Sequence, residues 1–482
     1  MHRHTWGLVV ILAACGGPTE RDAGPTERDA GDLDAGEQDA GTFDGGTPDA
    51  GPDDGGTSSC GDGLVTGDEL CDGPTVECAS LSTRWSGGRA SCRSGCDGYD
   101  VTTCESADTR AWELVRPAER DPRWSDARCN DGTGFDLLYR PGAPGSRLWV
   151  IWLQGGGFGD DVAFPTAERA ALLTSATALD DGVRGPLPAI EHGIFGSAAL
   201  NPDFADAHMV YAHYCSSDLW SGQGTERRPV MNVDGGYYFA GRHNVRATFE
   251  ILRQRYGLDD GDDGLRVLFG GESAGNIGSA QTADLAAAQL PRTTAAGRLR
   301  YLGDGAWLVD PPADMPDLFL GDSPYADAEL LDRAIDYWDA APLSTCPSTL
   351  RGECYLGRGW YPGLVSLGIP AAVATSNMDE VVLGLRGICT ESCGTPGRVC
   401  YDGCTSLDDG GYEDWRASYR DDWTAEGVEW LFAWGSVEHT AALVDDRWNG
   451  PLGSPEPLRG FVADFFFDRT PPRQVFANGA DR

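Results

Sequence analysis

Positive charge is scarce in this chain of 482 residues: 37 basic side chains stand against 75 acidic ones, a formal net charge of −38 at pH 7. So acidic a surface has no electrostatic grip on a phosphate backbone, which argues against nucleic acid as a partner. Histidine is scarce as well. Six of the seven imidazoles are His2, His4, His192, His208, His213 and His243, so chemistry that needs a histidine late in the chain has only His439 to draw on. The N-terminal apolar stretch, Trp6 to Ala14, is also short. It stops well below the roughly 20 residues that span a bilayer, and after the cationic Arg3 it has the form of a secretory signal.

What the chain does contain is a nucleophile elbow. The apolar run LRVLF at 265–269 leads into Gly271-Glu272-Ser273-Ala274-Gly275, and small, helix-compatible residues follow. In a G-x-S-x-G turn between strand and helix the serine takes a strained backbone conformation, and the flanking glycines leave room for the neighbouring strand and helix. Among 66 glycines such a pattern can arise by chance, so the remaining parts of a hydrolase have to follow in order. In the doubly wound hydrolases that order is Ser, then Asp or Glu, then His. His439 is the base by elimination, and it follows the apolar segment 428–434. Asp379 is the expected acid, because it follows the strand-like stretch 369–375 and so falls at another strand end. Glu380 and Asp304 are its rivals, and a carboxylate that merely caps a helix N-terminus is the plainer reading of Asp379.

An oxyanion hole needs backbone N–H groups, one from the residue after the nucleophile and one from an early strand-to-helix loop. Leu148 to Trp152 reads as a buried strand, and Gly155-Gly156-Gly157 follows it. Ala274 with Gly156 or Gly157 are the expected donors.

With these residues assembled, the chain resembles the pectin acetylesterase and Notum family of α/β-hydrolase carboxylesterases over roughly residues 125–450. Four segments carry the likeness: LQGGGFG at 153–159, YCSSDLWSG at 214–222, GGESAG from Gly270, and the NMDE and EHT segments around Asp379 and His439. The second is the most specific, since hydrolase chemistry in general does not demand it. The resemblance implies an esterase that removes acyl groups, acetyl from plant cell-wall polysaccharide in one branch and a fatty acyl group from a protein in the other. The chain departs from the family at Gly157-Phe158-Gly159-Asp160, where relatives tend to carry a Trp with a Cys soon after, in a loop that lines the acyl pocket of those relatives. The mechanism implied is acyl transfer through a covalent Ser273 intermediate, with His439 as base and then acid, and with no metal or organic cofactor.

Leu12-Ala13-Ala14-Cys15 is similar to a bacterial lipobox, which makes residues 1–14 a lipoprotein signal and Cys15 the lipidated first residue of the exported chain. Gly16 after it favours the outer membrane or cell surface of a bacterial envelope, with the membrane engaged through a lipid anchor only. Residues 15–59 repeat variants of Asp-Ala-Gly, hold one aromatic, Phe43, and carry ten of the net negative charges. Such a segment is expected to be a disordered tether, and its aspartates lack the ligand ladder of an EF-hand. Six cysteines between Cys60 and Cys104 make 60–106 a disulfide-rich module of open connectivity, with adhesion or a rigid stalk as its candidate roles. The remaining eight are Cys129, Cys215, Cys346, Cys354, Cys389, Cys393, Cys400 and Cys404. The last four are spaced as zinc ligands could be, but an oxidising location favours two disulfides.

Residues 107–482 show an α/β rhythm, with strand-like runs at 148–153, 208–214, 265–269, 299–302, 369–375 and 428–434 and helical stretches at 240–256 and 276–290. The expected fold is a doubly wound, mostly parallel sheet. Trp-rich segments such as WLVDPP, GRGWYPG and EDW read as core or lid packing. The function expected is a serine carboxylesterase for an O-acyl ester, first of all a polysaccharide O-acetyl group, with an acylated polysaccharide or lipid as partner. A lipid or protein fatty-acyl deacylase, a serine peptidase and a non-catalytic binding scaffold remain as alternatives.

Overall fold

The computed structural model describes residues 60–158, 189–309, 328–385 and 409–480, apart from positions 68, 83, 107–109, 231–232, 350, 451, 455 and 478–479. Cys15, the acidic segment to residue 59, and the group Cys389, Cys393, Cys400 and Cys404 lie outside the described residues.

Nine strands form the main sheet: β1 Glu113–Val115, β2 Leu137–Arg140, β3 Leu148–Leu153, β4 His208–Ala212, β5 Arg266–Glu272, β6 Leu299–Asp304, β7 Ala371–Ser376, β8 Trp430–Trp434 and β9 Gln474–Ala477. Their spatial order is 9-8-7-6-5-3-4-2-1. The seven strands from β9 to β4 run parallel, and β2 and β1 extend the sheet antiparallel. The strands are apolar on both faces because both faces are covered. Trp149, Ile151, Leu153, Val267, Phe269 and Tyr301 pack into one core, whereas Val150, Trp152, Leu268, Leu302 and Phe432 pack into the other. Helices α1 Gly241–Ile251, α2 Ala274–Gln281 and α3 Asp409–Ala425 cover the first face, and α4 Leu458–Phe467 covers the second with Phe461, Phe465 and Phe466. This is the doubly wound fold expected from the sequence. Trp307, Trp360 and Trp415 are fully buried, as core residues. No helix among the described residues is long and apolar enough to cross a membrane.

The differences from expectation are at the margins. Strand β5 runs on to Glu272, so the elbow begins without a break. The stretch 276–290 is two helices, α2 and a second over Ala283–Gln289, parted at Thr282. The stretch 240–256 is α1 followed by a wider turn over Leu252–Tyr256, closed by Gly257 at φ 82°. Strands β1, β2 and β9 were not expected. They are three or four residues long, too short for a periodic signal to stand out.

The cysteine-rich module is joined by Cys60–Cys96, Cys71–Cys92 and Cys78–Cys104, around a small core of Cys78, Leu81, Trp85 and Ala90. Further on, Cys129 pairs with Cys215 and Cys346 with Cys354. The module packs against the end of the sheet where the parallel strands begin. Arg84 Nη1 donates to Tyr139 Oη and to the Tyr256 carbonyl, both at 2.7 Å. Arg253 Nη2 donates to Asp97 at 2.7 Å, and Ser82 Oγ to Glu113 at 2.8 Å. Module and sheet belong to one contact unit, Cys60–Arg482.

Candidate active site

Ser273 stands between the last residue of β5 and the first of α2, with φ 57° and ψ −124°. A side chain other than glycine rarely adopts this region, and the strain persists only where the surroundings enforce it. They do so here from two sides. The Ser273 N–H donates to the Asp304 carbonyl of the next strand at 2.9 Å. A Cβ at Gly275 would lie 1.9 Å from the Leu153 carbonyl oxygen, so only glycine lets α2 start this close to β3.

His439 lies on the loop after β8. Its Nε2 is 2.7 Å from Ser273 Oγ, and its Nδ1 is 2.6 Å from Asp379 Oδ2. With the carboxylate accepting from Nδ1–H, Nε2 is left to accept from the serine hydroxyl. Burial alone would lower the imidazole pKa, but Asp379, with smaller contributions from Asp304 and Glu380, holds it above the ordinary histidine value. The group is therefore set to gain a proton readily.

Asp379 is 1% exposed and divides its two oxygens between two tasks. Oδ2 faces His439, while Oδ1 accepts the N–H groups of Val381 at 2.9 Å and Val382 at 3.1 Å, at the start of the helix Glu380–Leu385. One carboxylate thus accepts both the helix-start N–H groups and the contact from His439. Its rivals sit differently. Glu380 reaches His439 only through space. Asp304 is fully buried and accepts the N–H groups of Ala441 at 2.9 and 3.0 Å and of Ala442 at 2.8 Å. It grips the backbone just beyond His439 without a hydrogen bond to the ring. Burial pushes its pKa up to about 6 against those backbone donors.

The glycine loop after β3 runs against the serine's own turn. A Cβ on Gly155 would be 2.5 Å from the Glu272 carbonyl oxygen and 2.8 Å from Ser273 Cβ. Gly156 and Gly157 come next, half-buried, at φ 156° and 78°. Ala274, 3% exposed, is the first residue of α2. The Gly155 N–H donates to Glu272 Oε1 at 2.9 Å, and Glu272 also receives the Trp152 indole N–H and, at 3.4 Å, the Tyr211 hydroxyl.

The segment Tyr214 to Gly222 forms a buried knot behind this loop. Ser217, Leu219 and Trp220 all have positive φ, and Asp218 ties them by accepting from Ser216 Oγ, the Trp220 N–H and the Gly241 N–H at the start of α1. Trp220 Nε1 donates to the Gln154 carbonyl at 3.1 Å, immediately before the triple glycine. The contacts of Glu272, Asp304 and Trp220 carry no motif of their own in the sequence. Only the position of the two acids at strand ends beside the elbow could have pointed to them.

The pectinacetylesterase family model matches residues 112–314, a span that holds Ser273 but neither Asp379 nor His439. The palmitoleoyl-protein carboxylesterase notum1 of Xenopus laevis is 30% identical over 276 residues, 54% of this chain and 51% of that protein. The human palmitoleoyl-protein carboxylesterase NOTUM is 29% identical over 272 residues, 54% and 50% of the two chains. The chain thus spans about half the length of the curated relatives it matches. A crystal structure of the Wnt deacylase Notum from Drosophila superposes with a TM-score of 0.56 at 21% identity, covering 77% of this chain and 97% of that one. That likeness is one of fold, and the fold is the Notum-like α/β-hydrolase. The family-model match, the curated relatives and the fold all support a likeness to the pectin acetylesterase and Notum family.

Proposed function

We propose that this chain is a serine carboxylesterase that deacylates an O-acyl ester through an acyl-enzyme. The observation that carries this reading is the chain of contacts from Ser273 Oγ to His439 Nε2 at 2.7 Å and from His439 Nδ1 to Asp379 at 2.6 Å. His439 takes the hydroxyl proton as Ser273 attacks the ester carbonyl, and Asp379 orients the ring and stabilises the imidazolium. The backbone N–H groups of Ala274 and of Gly156 or Gly157 receive the oxyanion, each contributing on the order of 3 kcal/mol in the transition state. His439 then hands the proton to the leaving alcohol and activates water for deacylation.

The substrate we favour is an O-acetyl group on a polysaccharide, in keeping with the pectinacetylesterase match. A fatty-acyl ester is the second reading, favoured by the printed names of the Notum relatives. Hydrolysis of p-nitrophenyl esters from acetyl to dodecanoyl by the full chain, with Ser273→Ala as control, decides between them. Serine-dependent turnover greatest for acetyl supports the polysaccharide reading, and a maximum at long chains supports the fatty-acyl one. A folded protein without serine-dependent turnover on any ester overturns both in favour of a binding scaffold or a peptidase. The Leu-Ala-Ala-Cys15 segment supports a place in a bacterial envelope through a lipid on Cys15. Cys15→Ser should then release the chain from the membrane fraction.

A further inference from the structure

Two buried acids that the proposed reaction does not use lie side by side at the ends of the two central strands. Glu272 ends β5 and Asp304 ends β6, and the two are direct partners in the parallel register. Each reaches forward from its strand and holds the backbone of a different loop. Glu272 Oε1 accepts the Gly155 N–H at 2.9 Å, at the first residue of the triple-glycine loop. Asp304 accepts the N–H groups of Ala441 and Ala442, two and three residues past His439. The Asp304 carbonyl also takes the Ser273 N–H at 2.9 Å. Backbone bonds from one adjacent pair of residues therefore run to the oxyanion loop, the nucleophile and the base loop.

We propose that Glu272 and Asp304 are paired positioning residues, which fix the oxyanion loop and the His439 loop relative to Ser273. The proposal rests on the esterase reading. Its physical ground is that three loops of widely separated sequence must meet within about half an ångström for acyl transfer, and a misplacement of about 1 Å can lower the rate on the order of a hundredfold. A carboxylate suits the task at Asp304 because a buried anion accepting backbone N–H groups makes stronger bonds than a neutral acceptor does, and Glu272 Oε1 accepts the Gly155 N–H in either protonation state. Burying two acids together has an opposing consequence. Burial first, and then the charge of Asp304, push the Glu272 pKa up to about 8 despite the pull of Gly155 and Trp152. A buried acid pair under such opposition is a reason to look for function there.

The two acids should be distinguishable, because they act on different loops. Asp304 also faces His439 through space, with Asp379 and Glu380 as the other acids around that ring, and Arg447 is the cation facing Asp304. Asp304→Asn should lower kcat ten- to a hundredfold with KM within about twofold, and should move the acid limb of the kcat/KM profile to lower pH, because one of the charges favouring the imidazolium is gone. Glu272→Gln should lower kcat by a similar factor and weaken a trifluoromethyl ketone, which mimics the tetrahedral adduct, in parallel, while leaving that limb in place.

The experiment is hydrogen–deuterium exchange of the full chain, followed by NMR titration of ring-labelled His439 and by the kinetics. Exchange should quicken in the peptide covering residues 153–158 for Glu272→Gln, in the peptide covering residues 438–443 for Asp304→Asn, and little elsewhere. The His439 titration should fall only in the second variant. Uniformly faster exchange, or unchanged kcat in both variants, overturns the proposal. If either variant fails to fold, the wild-type chain still decides: amides 155, 441 and 442 must exchange far more slowly than exposed loop amides, and fast exchange there overturns it. A wild-type chain without serine-dependent hydrolysis sinks the esterase reading separately, while the exchange and titration still report whether the two acids hold their loops.

Discussion

Two histidines, His439 partly exposed and His208 buried, sit at opposite ends of the same sheet. His439 lies where the parallel strands end, and two of the carboxylates around it, Asp379 and Asp304, are almost wholly buried. His208 lies where β4 begins, 1% exposed, and its charged neighbour is the guanidinium of Arg84, 3.4 Å from Nδ1. Burial, then Arg84, hold the His208 pKa well below the ordinary value. Its Nδ1 accepts from Tyr139 Oη at 2.8 Å and from the Gly142 N–H at 3.1 Å, its Nε2 meets the Ser146 carbonyl at 3.2 Å, and the ring stacks on Trp149 at 4.2 Å. The same side chain is a base candidate at one end and a neutral core residue at the other. What separates them is the sign of the charge each faces, whether a nucleophile lies within reach, and the partial exposure of His439.

The contrast can be broken most severely at the site. Asp379→Asn should lower kcat on the order of ten-thousandfold by leaving the imidazole in the wrong tautomer, and steady-state kinetics on an activated ester will show it. A loss under tenfold would transfer the orienting role to Glu380 or Asp304. At the other end, Arg84→Met removes the bonds to Tyr139 and Tyr256 that pin the cysteine-rich module. It should destabilise the chain by about 2–3 kcal/mol through the polar groups left unpaired, seen as a lower denaturation midpoint, with kcat of the folded protein within about twofold. An equal loss of kcat would mean that the two ends are coupled.

A finer test uses pH. His208 has a folded pKa below its unfolded value, so its contribution to stability is complete above about pH 6.5 and is lost as pH falls below it, at up to roughly 1.4 kcal/mol per pH unit. His439 has a folded pKa above its unfolded value. Its contribution is therefore complete below about pH 6.5 and is lost as pH rises through the folded pKa. Denaturation curves from pH 5 to 8 for His208→Gln and His439→Gln should differ from wild type with opposite slopes, and slopes of the same sign would refute the assignment of their surroundings.

Much of the site was legible because its chemistry dictates residue types at short range. Ser273 was marked by glycines on either side, and His439 by the want of any other imidazole downstream. Strands β3 to β8 were legible as apolar runs because helices cover both their faces. The rest depends on contacts that composition does not encode. Asp304 was weighed as an acid for the imidazole, yet its side chain bonds the backbone N–H groups of Ala441 and Ala442, and any residue pair there offers the same groups. The module, expected as an adhesive or a stalk, brings Arg84 to Tyr139 and the Tyr256 carbonyl, and nothing around Arg84 in the sequence marks a half-buried cation. The pairing of Cys129 with Cys215 likewise depends on two segments 86 residues apart meeting behind the triple-glycine loop.

The most direct test of the central claim is covalent labelling of the full chain with a fluorophosphonate, read by intact mass and by mapping the modified peptide. One adduct on Ser273 is expected, strongly slowed in His439→Ala and absent in Ser273→Ala. No adduct on the folded wild-type chain, an adduct on another residue, or equal labelling in His439→Ala would contradict it.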